Sequence, residues 1–123
     1  MDRSLYHEVR EELINKALEV SDRKGRDYTI GSSDAHENFK SVAERTGLTP
    51  IQVLGIYLMK HQDAISNYIK VGGQFESEPI QERIIDNINY LMLLWGLILD
   101  EQTKGSEDEK KSSDVLRAER VAC

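Results

Sequence analysis

The feature that most constrains the fold is the spacing of the apolar residues. They recur every three or four positions in four segments, which is the spacing of a helix face. No stretch alternates apolar and polar residues for long enough to predict a strand. Glycine or proline separates the segments, at Gly25, Gly47, Pro50 and Gly72. We therefore predict an all-α fold, a small four-helix bundle.

Capping residues predict the limits of the first two helices. Ser4 can cap the first helix, which we expect to end near Lys24, just before a glycine. Asp34 with Glu37 three residues later has the form of a capping box. A short second helix then follows as far as Thr46.

The third and fourth helices have clearer start signals. Thr49, with proline next and Gln52 three residues later, predicts a capped helix that ends near residue 70. Ser77 can cap the fourth helix, whose first turn contains Pro79. The apolar density from Ile80 to Leu99 belongs to this helix. We expect one helical domain over residues 1–102.

Residues 103–123 differ from the rest in composition. They are rich in serine and charge and have no sustained apolar face, which predicts a disordered charged tail. Across the chain, 22 Asp and Glu outnumber 16 Lys and Arg, for a net charge of -6. A broad phosphate-binding surface of the kind that gives DNA affinity has little to be built from, so we expect no nucleic-acid partner.

Two further features bear on the compartment. The only cysteine is Cys123, so no intramolecular disulfide can form, and a reducing compartment is expected. The first residues lack the pattern of a signal peptide, and the longest apolar run, from Leu91 to Leu99, is too short to span a bilayer. We expect a cytoplasmic protein that does not enter membranes.

The fourth helix combines an apolar face with an acidic stripe. On a helical wheel the apolar face contains Ile84, Ile85, Ile88, Leu91, Met92 and Trp95. The adjoining stripe consists of Glu78, Glu82, Asp86 and Asn89. Carboxylates stacked one turn apart repel, and Mg²⁺ suits them because it binds one or two carboxylates and leaves positions for water and phosphates. The alternative is a solvated acidic edge that supports the helix N-terminus.

Three other parts of the sequence contain side chains that could bind a ligand or take part in catalysis. On the third helix, His61 falls within an apolar face and should point inward, as a core residue, a base or a ligand. Lys60 can reach a phosphate or remain solvated. The segments 24–28 and 36–39 bring basic, acidic, amide and aromatic groups together, as a nucleotide pocket needs. There, Glu37 can instead complete its capping box, and Asp27 can cap a turn.

The order of these residues also resembles a known group of proteins. The pattern is Lys24 and Asp27-Tyr28, then Glu37-Asn38-Phe39, Leu58-Met59-Lys60-His61, Glu78-Pro79-Ile80, and finally Glu82, Asp86 and Asn89-Tyr90. It resembles small phage-encoded domains found beside nucleotide-modification genes, which are similar in turn to MazG-like all-α nucleoside triphosphate pyrophosphohydrolases. The resemblance spans about Glu12 to Leu99. It implies a self-associating bundle in the cytoplasm of a phage-infected bacterium.

The resemblance further implies Mg²⁺-dependent cleavage between the α- and β-phosphates of a nucleotide. The catalytic residues it implies are Glu82, Asp86, Lys60 and His61. The implied metal ligands are Glu37, Glu78, Glu82 and Asp86. The implied nucleotide-binding residues are Arg26, Asp27, Tyr28, Asn38, Asn89 and Tyr90. The MazG pattern differs in two ways: its acidic pair is spaced ExxD, one residue closer than Glu82 and Asp86, and its earlier EExxE cluster has no counterpart here.

Two other functions stay open at this stage. The missing acidic cluster favours a non-enzymatic helical module that binds a nucleotide or a host protein. Ala43, Gly47 and Val53 stand at the relative positions of a helix-turn-helix, but the following helix offers mainly Gln52 and Lys60 to read bases, and the net charge argues against DNA binding. The apolar run from Leu91 to Leu99 favours a homo-oligomer under each of these functions.

Overall fold

The computed structural model describes residues 1–75 and 78–105. It contains the helices α1 (Arg3–Tyr28), α2 (Glu37–Thr46), α3 (Pro50–Val71) and α4 (Ile80–Lys104), with a short 3-10 helix, Gly72–Phe75, after α3. No strand occurs in these two ranges, so the predicted all-α class with four helices is confirmed. The predicted cap Ser77 and residues 106–123 of the predicted tail lie outside the described residues.

The helices pack around a central pair formed by α3 and α4. Helix α2 packs on α3, and α1 packs on α4. The apolar core lies where α2, α3 and α4 meet, and its buried members are Phe39, Ala43, Val53, Leu54 and Leu97. No helix in the described ranges combines the length and the apolar character needed to cross a membrane.

The start of α3 confirms the capping prediction. The Thr49 hydroxyl accepts the backbone N–H of Gln52 at 3.1 Å, and the Gln52 side chain accepts the N–H of Thr49 at 2.9 Å. This reciprocal pair satisfies two N–H groups that have no partner within the helix. Gly47 ends α2 in the left-handed conformation at φ 74°, where a side chain would be strained.

Two predicted limits of α1 are wrong. Asp2, not Ser4, caps α1, since its carboxylate accepts the N–H of Leu5 at 2.8 Å. Helix α1 continues through Gly25 to Tyr28, because glycine lowers helix stability without forbidding the helical conformation. Helix α4 extends to Lys104, so residues 103 and 104 of the predicted tail are helical.

The predicted capping box at Asp34 is also wrong. Its carboxylate accepts the N–H of His36 at 2.9 Å and accepts a hydrogen bond from the Lys40 ammonium. Helix α2 therefore begins at Glu37, without a side-chain cap. An aspartate that closes a local turn competes with the capping geometry for the same oxygen atoms.

The orientation of α4 confirms the predicted apolar face at Ile85 and contradicts it further along the helix. Its buried residues are Ile85, Asn89 and Leu97, whereas Trp95, which was predicted to face the core, is 66% exposed. Leu91 and Met92 are exposed as well. The run from Leu91 to Leu99 is apolar on nearly every side, so a wheel cannot decide which side is buried. The predicted self-association would cover this outer face and stays a prediction.

Candidate functional site

A cavity of about 700 Å³ lies where the end of α1 meets the middle of α4. Its other walls come from the loop between α1 and α2, from the first turns of α2 and from Tyr57 on α3. This volume falls within the range of about 300 to 1,000 Å³ that is typical of small-molecule sites. We call this cavity the cleft.

Aromatic rings form one wall of the cleft. The rings of Tyr57 and Tyr90 are nearly parallel, 8° apart, with centroids 6.1 Å from each other. Phe39 packs edge-on against both, at 6.0 and 6.5 Å. His61 stacks on Tyr90 at 5.2 Å. Burial, aided by the charge of Asp86, raises the pKa of the Tyr90 hydroxyl, which therefore stays protonated. These rings pack against one another and give the cleft an aromatic, largely apolar wall.

Asn89 places an amide in this aromatic surrounding. Its side chain lines the cleft, the residue is 8% exposed, and neither the Nδ2 donor nor the Oδ1 acceptor has a hydrogen-bond partner in the structure. A buried polar group without a partner costs about 1 to 3 kcal/mol, so folded proteins rarely contain one without a functional reason. A bound molecule that reached these two buried atoms would satisfy both of them.

Two cations lie at the end of the cleft formed by α1. The Lys24 ammonium is 2.9 Å from the Asp86 carboxylate, and the Lys24 side chain is 46% exposed against 16% for Asp86. Arg26 also lines the cleft and forms no ion pair with any described residue. Among the described residues, Arg26 therefore offers its positive charge to an anion, whereas the charge of Lys24 is neutralised by Asp86.

The wall opposite α1 is anchored to α4 by polar contacts. Lys40 bonds to Asp34 and lies 3.3 Å from Asp100, and the Nε2 atom of His36 is 2.9 Å from the backbone oxygen of Leu93. The Lys40 hydrogen bond, together with the His36 N–H, holds the pKa of Asp34 below its usual value. A Cβ at Gly96 would lie 3.3 Å from the His36 ring, so glycine permits this close approach. The loop is thereby held against the helix.

Comparisons of this chain with protein-family models, with curated proteins and with solved structures found no match. The resemblance to phage-encoded domains and MazG-like enzymes therefore stays a prediction from the sequence. The functional argument rests on the geometry of the cleft.

The structure brings half of the predicted site residues together. The predicted residues that line the cleft are Arg26, Tyr28, Asn38, Asp86, Asn89 and Tyr90. The predicted residues outside its lining are Asp27, Glu37, Lys60, His61, Glu78 and Glu82. The nucleotide-binding group thus converges, whereas the acidic groups do not.

The predicted metal ligands are dispersed. Glu37 and Glu82 are exposed, and Glu78 lies near the guanidinium of Arg83 at 3.7 Å. Within residues 1–75 and 78–105, no group of three or more His, Cys, Asp or Glu side chains could hold a metal ion. Asp86 is the one predicted ligand in the cleft, and its carboxylate contacts Lys24. Among the predicted ligands, Asp86 alone is available in the cleft to Mg²⁺, and binding of this ion stays a prediction.

His61 lies behind the aromatic wall instead of lining the cleft. Its Nδ1 atom is buried without a partner, and burial lowers the pKa of the ring despite the nearby charge of Asp86. The imidazole is therefore neutral at pH 7 and supports the position of Tyr90 from behind.

Sequence reasoning missed several residues of the cleft. Phe39 belongs to the quoted pattern but was given no role in the site, and Tyr57 was not singled out, because nothing in the sequence separates a ring that fills a core from one that lines a cavity. Lys24 belongs to the quoted pattern but had no predicted role. Its position one helical turn before Tyr28 was the available signal, because residues four apart share a helix face.

Proposed function

We propose that the protein binds a nucleotide in the cleft. Three kinds of group line the cavity, and each suits one part of such a ligand: flat aromatic faces for the base, an amide for the edge of the base, and cations for the phosphate. Their convergence in one cavity of suitable volume supports this proposal over binding of a purely apolar molecule.

The observation that carries the proposal is the unpartnered amide of Asn89 beside the ring of Tyr90. An asparagine amide presents a donor and an acceptor side by side, which matches the paired groups on the edge of a nucleobase. Stacking of a base on an aromatic side chain contributes about 1 to 3 kcal/mol. A base between the aromatic wall and Asn89 would gain both interactions and satisfy both amide atoms.

The cations suit the charged end of the same ligand. Arg26 and Lys24 lie on the last turns of α1, and both line the cleft. A guanidinium binds phosphate oxygens in pairs, and a lysine ammonium binds them as a point charge. A phosphate would therefore lie at this end, with the base toward Asn89.

Nucleotide hydrolysis is a separate proposal that the described residues support less. Mg²⁺ chemistry would use Asp86 together with the ligand's phosphates, but the Asp86 carboxylate is paired with Lys24, and the described residues contain no group of three or more His, Cys, Asp or Glu side chains that could hold a metal ion. We derive no hydrolytic step from this donor set. Pyrophosphate release from nucleoside triphosphates in the presence of Mg²⁺, compared between the native protein and Asp86→Ala, tests turnover directly.

A role in reading DNA has no comparable support. The exposed side of α3, which would be the recognition helix, carries Ile56 and Met59, both more than half exposed. Apolar side chains of this size do not read the donor and acceptor pattern of base edges.

Binding is tested by calorimetric titration of the ribo- and deoxyribonucleoside mono-, di- and triphosphates, with and without Mg²⁺. We expect at least one of them to bind the native protein. Asn89→Leu should weaken that ligand by about tenfold or more, the equivalent of one lost hydrogen-bonded contact. Asn67→Leu, which changes an exposed asparagine on α3, is the matched control and should bind as the native protein does. Unchanged affinity in Asn89→Leu would contradict the proposal.

A further inference from the structure

We infer that Asp86 competes with the ligand's phosphate for Lys24, and so sets how strongly the cleft binds phosphate-bearing ligands. This inference rests on the proposed nucleotide binding and concerns the charged end of the same site. It gives Asp86 a role that requires no metal ion.

Asp86, the group that competes with the phosphate for Lys24, lies inside the cleft. The Lys24 ammonium and the Asp86 carboxylate are 2.9 Å apart, and both side chains line the cleft. Neither group forms a second ion pair with a described residue. Asp86 is held within α4 and largely covered, whereas the Lys24 side chain is nearly half exposed. Lys24 is therefore the partner that can move toward an incoming anion.

The contact between Lys24 and Asp86 lowers the affinity of the cleft for a phosphate-bearing ligand. A phosphate that takes Lys24 leaves the Asp86 carboxylate without its cation and places a second negative charge near it. The two negative charges repel each other, and the repulsion is stronger where water is partly excluded. A ligand that carries no phosphate avoids this repulsion. The contact should therefore weaken phosphate-bearing ligands selectively.

Asp22 provides a matched control for charge alone. It lines the same cleft on α1 and forms no ion pair with any described residue. Asp22→Asn thus removes one negative charge from the cleft without releasing a cation. Asp86→Asn removes the same charge and frees Lys24, so a difference between the two variants isolates the release of Lys24.

The test measures affinities by calorimetry in EDTA for inorganic pyrophosphate, the four deoxynucleoside 5′-monophosphates and the corresponding nucleosides. We expect Asp86→Asn to bind the phosphate-bearing probes about fivefold more tightly than the native protein. Asp22→Asn should gain less than about twofold, because it releases no cation. The gain should vanish when Lys24→Met is added to Asp86→Asn, and nucleoside affinities should not change.

The outcomes separate this inference from the proposed function. An equal gain in both aspartate variants, no gain in Asp86→Asn, or a gain that persists with Lys24→Met overturns the inference while leaving nucleotide binding in place. If none of these proteins binds any probe at millimolar concentration, both proposals are overturned. Circular dichroism confirms folding, and Asp86→Ser repeats the measurement should Asp86→Asn fold poorly.

Discussion

The buried face of α4 has two halves that differ in how well their side chains are packed and hydrogen-bonded. In the C-terminal half, Leu97 is fully buried and packs with Phe39, Val53 and Leu54 in the apolar core. Two turns earlier, Asn89 is buried on the same side of the helix, yet both polar atoms of its amide lack partners. One helix thus contributes to a well-packed core and to a cleft in which a buried amide lacks hydrogen-bond partners.

The contrast separates stability from function within a single element. Burial of apolar side chains against one another stabilises the fold, at about 25 cal/mol for each Å² removed from water. A buried amide without a partner lowers stability, and proteins retain such local conflicts mainly at functional sites. The core half of α4 should therefore be sensitive to substitution, while the cleft half should tolerate or gain from apolar replacement.

The largest expected effect is in the core half. Leu54→Ala removes a fully buried side chain and should lower the free energy of unfolding by about 3 kcal/mol, through lost burial and the cavity left behind. Urea denaturation measures this change. Ile56→Ala, on the exposed side of the same helix, is the control and should change it by less than about 0.5 kcal/mol. Equal losses in both variants would contradict the described core.

The next effect has the opposite sign and lies in the cleft half. Asn89→Leu keeps the branched shape and the number of side-chain heavy atoms and removes the unpartnered amide, so it should raise the free energy of unfolding by about 1 kcal/mol. The same urea experiment measures it, with Asn67→Leu as the control. A loss of stability would show that the Asn89 amide is satisfied in the folded protein, and would remove the observation that carries nucleotide binding.

A smaller effect concerns the contacts that anchor the loop to α4. Lys40→Met breaks the contacts of Lys40 with Asp34 and Asp100, and should lower the free energy of unfolding by about 1 kcal/mol at pH 7. Lys16→Met, an exposed lysine without an ion pair among the described residues, should have no effect. An equal loss in the two variants would mean that these contacts add nothing.

The same contacts predict a pH dependence with a definite sign. Lys40 holds the pKa of Asp34 below its usual value. Burial raises the pKa of Asp100, but hydrogen bonds from Lys40 and Lys104 outweigh burial and lower it overall. A lowered carboxylate pKa stabilises the fold above the unfolded-state value, and this stabilisation is lost as pH falls below about 4. Lys40→Met should therefore lose less stability between pH 7 and pH 3 than the native protein does.

The smallest effect on the folded chain itself lies on the outer face of α4. Trp95→Gln changes an exposed side chain and should alter the free energy of unfolding of a single chain by less than about 0.5 kcal/mol. If the predicted self-association uses this face, the variant should dissociate in sedimentation analysis at concentrations where the native protein associates. Ile69→Gln, exposed near the end of α3, is the control. A monomeric native protein would refute the prediction of self-association.

The local sequence was sufficient to predict the four helices and several of the residues at which they begin or end. The capping box of Thr49 and Gln52 and the left-handed Gly47 involve groups at most four residues apart, so their hydrogen bonds can be anticipated from the sequence. The order and number of helices follow from apolar spacing for the same reason. Arg26, Asn38 and Tyr90, which the resemblance assigns to nucleotide binding, line the same cleft, and their role there stays a prediction.

Tertiary structure alone decided which side of α4 is buried and how the charges pair. The run from Leu91 to Leu99 is apolar on nearly every side and has no preferred side until other helices pack on α4, and in that packing Trp95 stays exposed. Lys24 and Asp86 are 62 positions apart, and no local propensity links them. Contacts between distant residues depend on the packing of whole helices, and the function proposed for the cleft depends on those contacts.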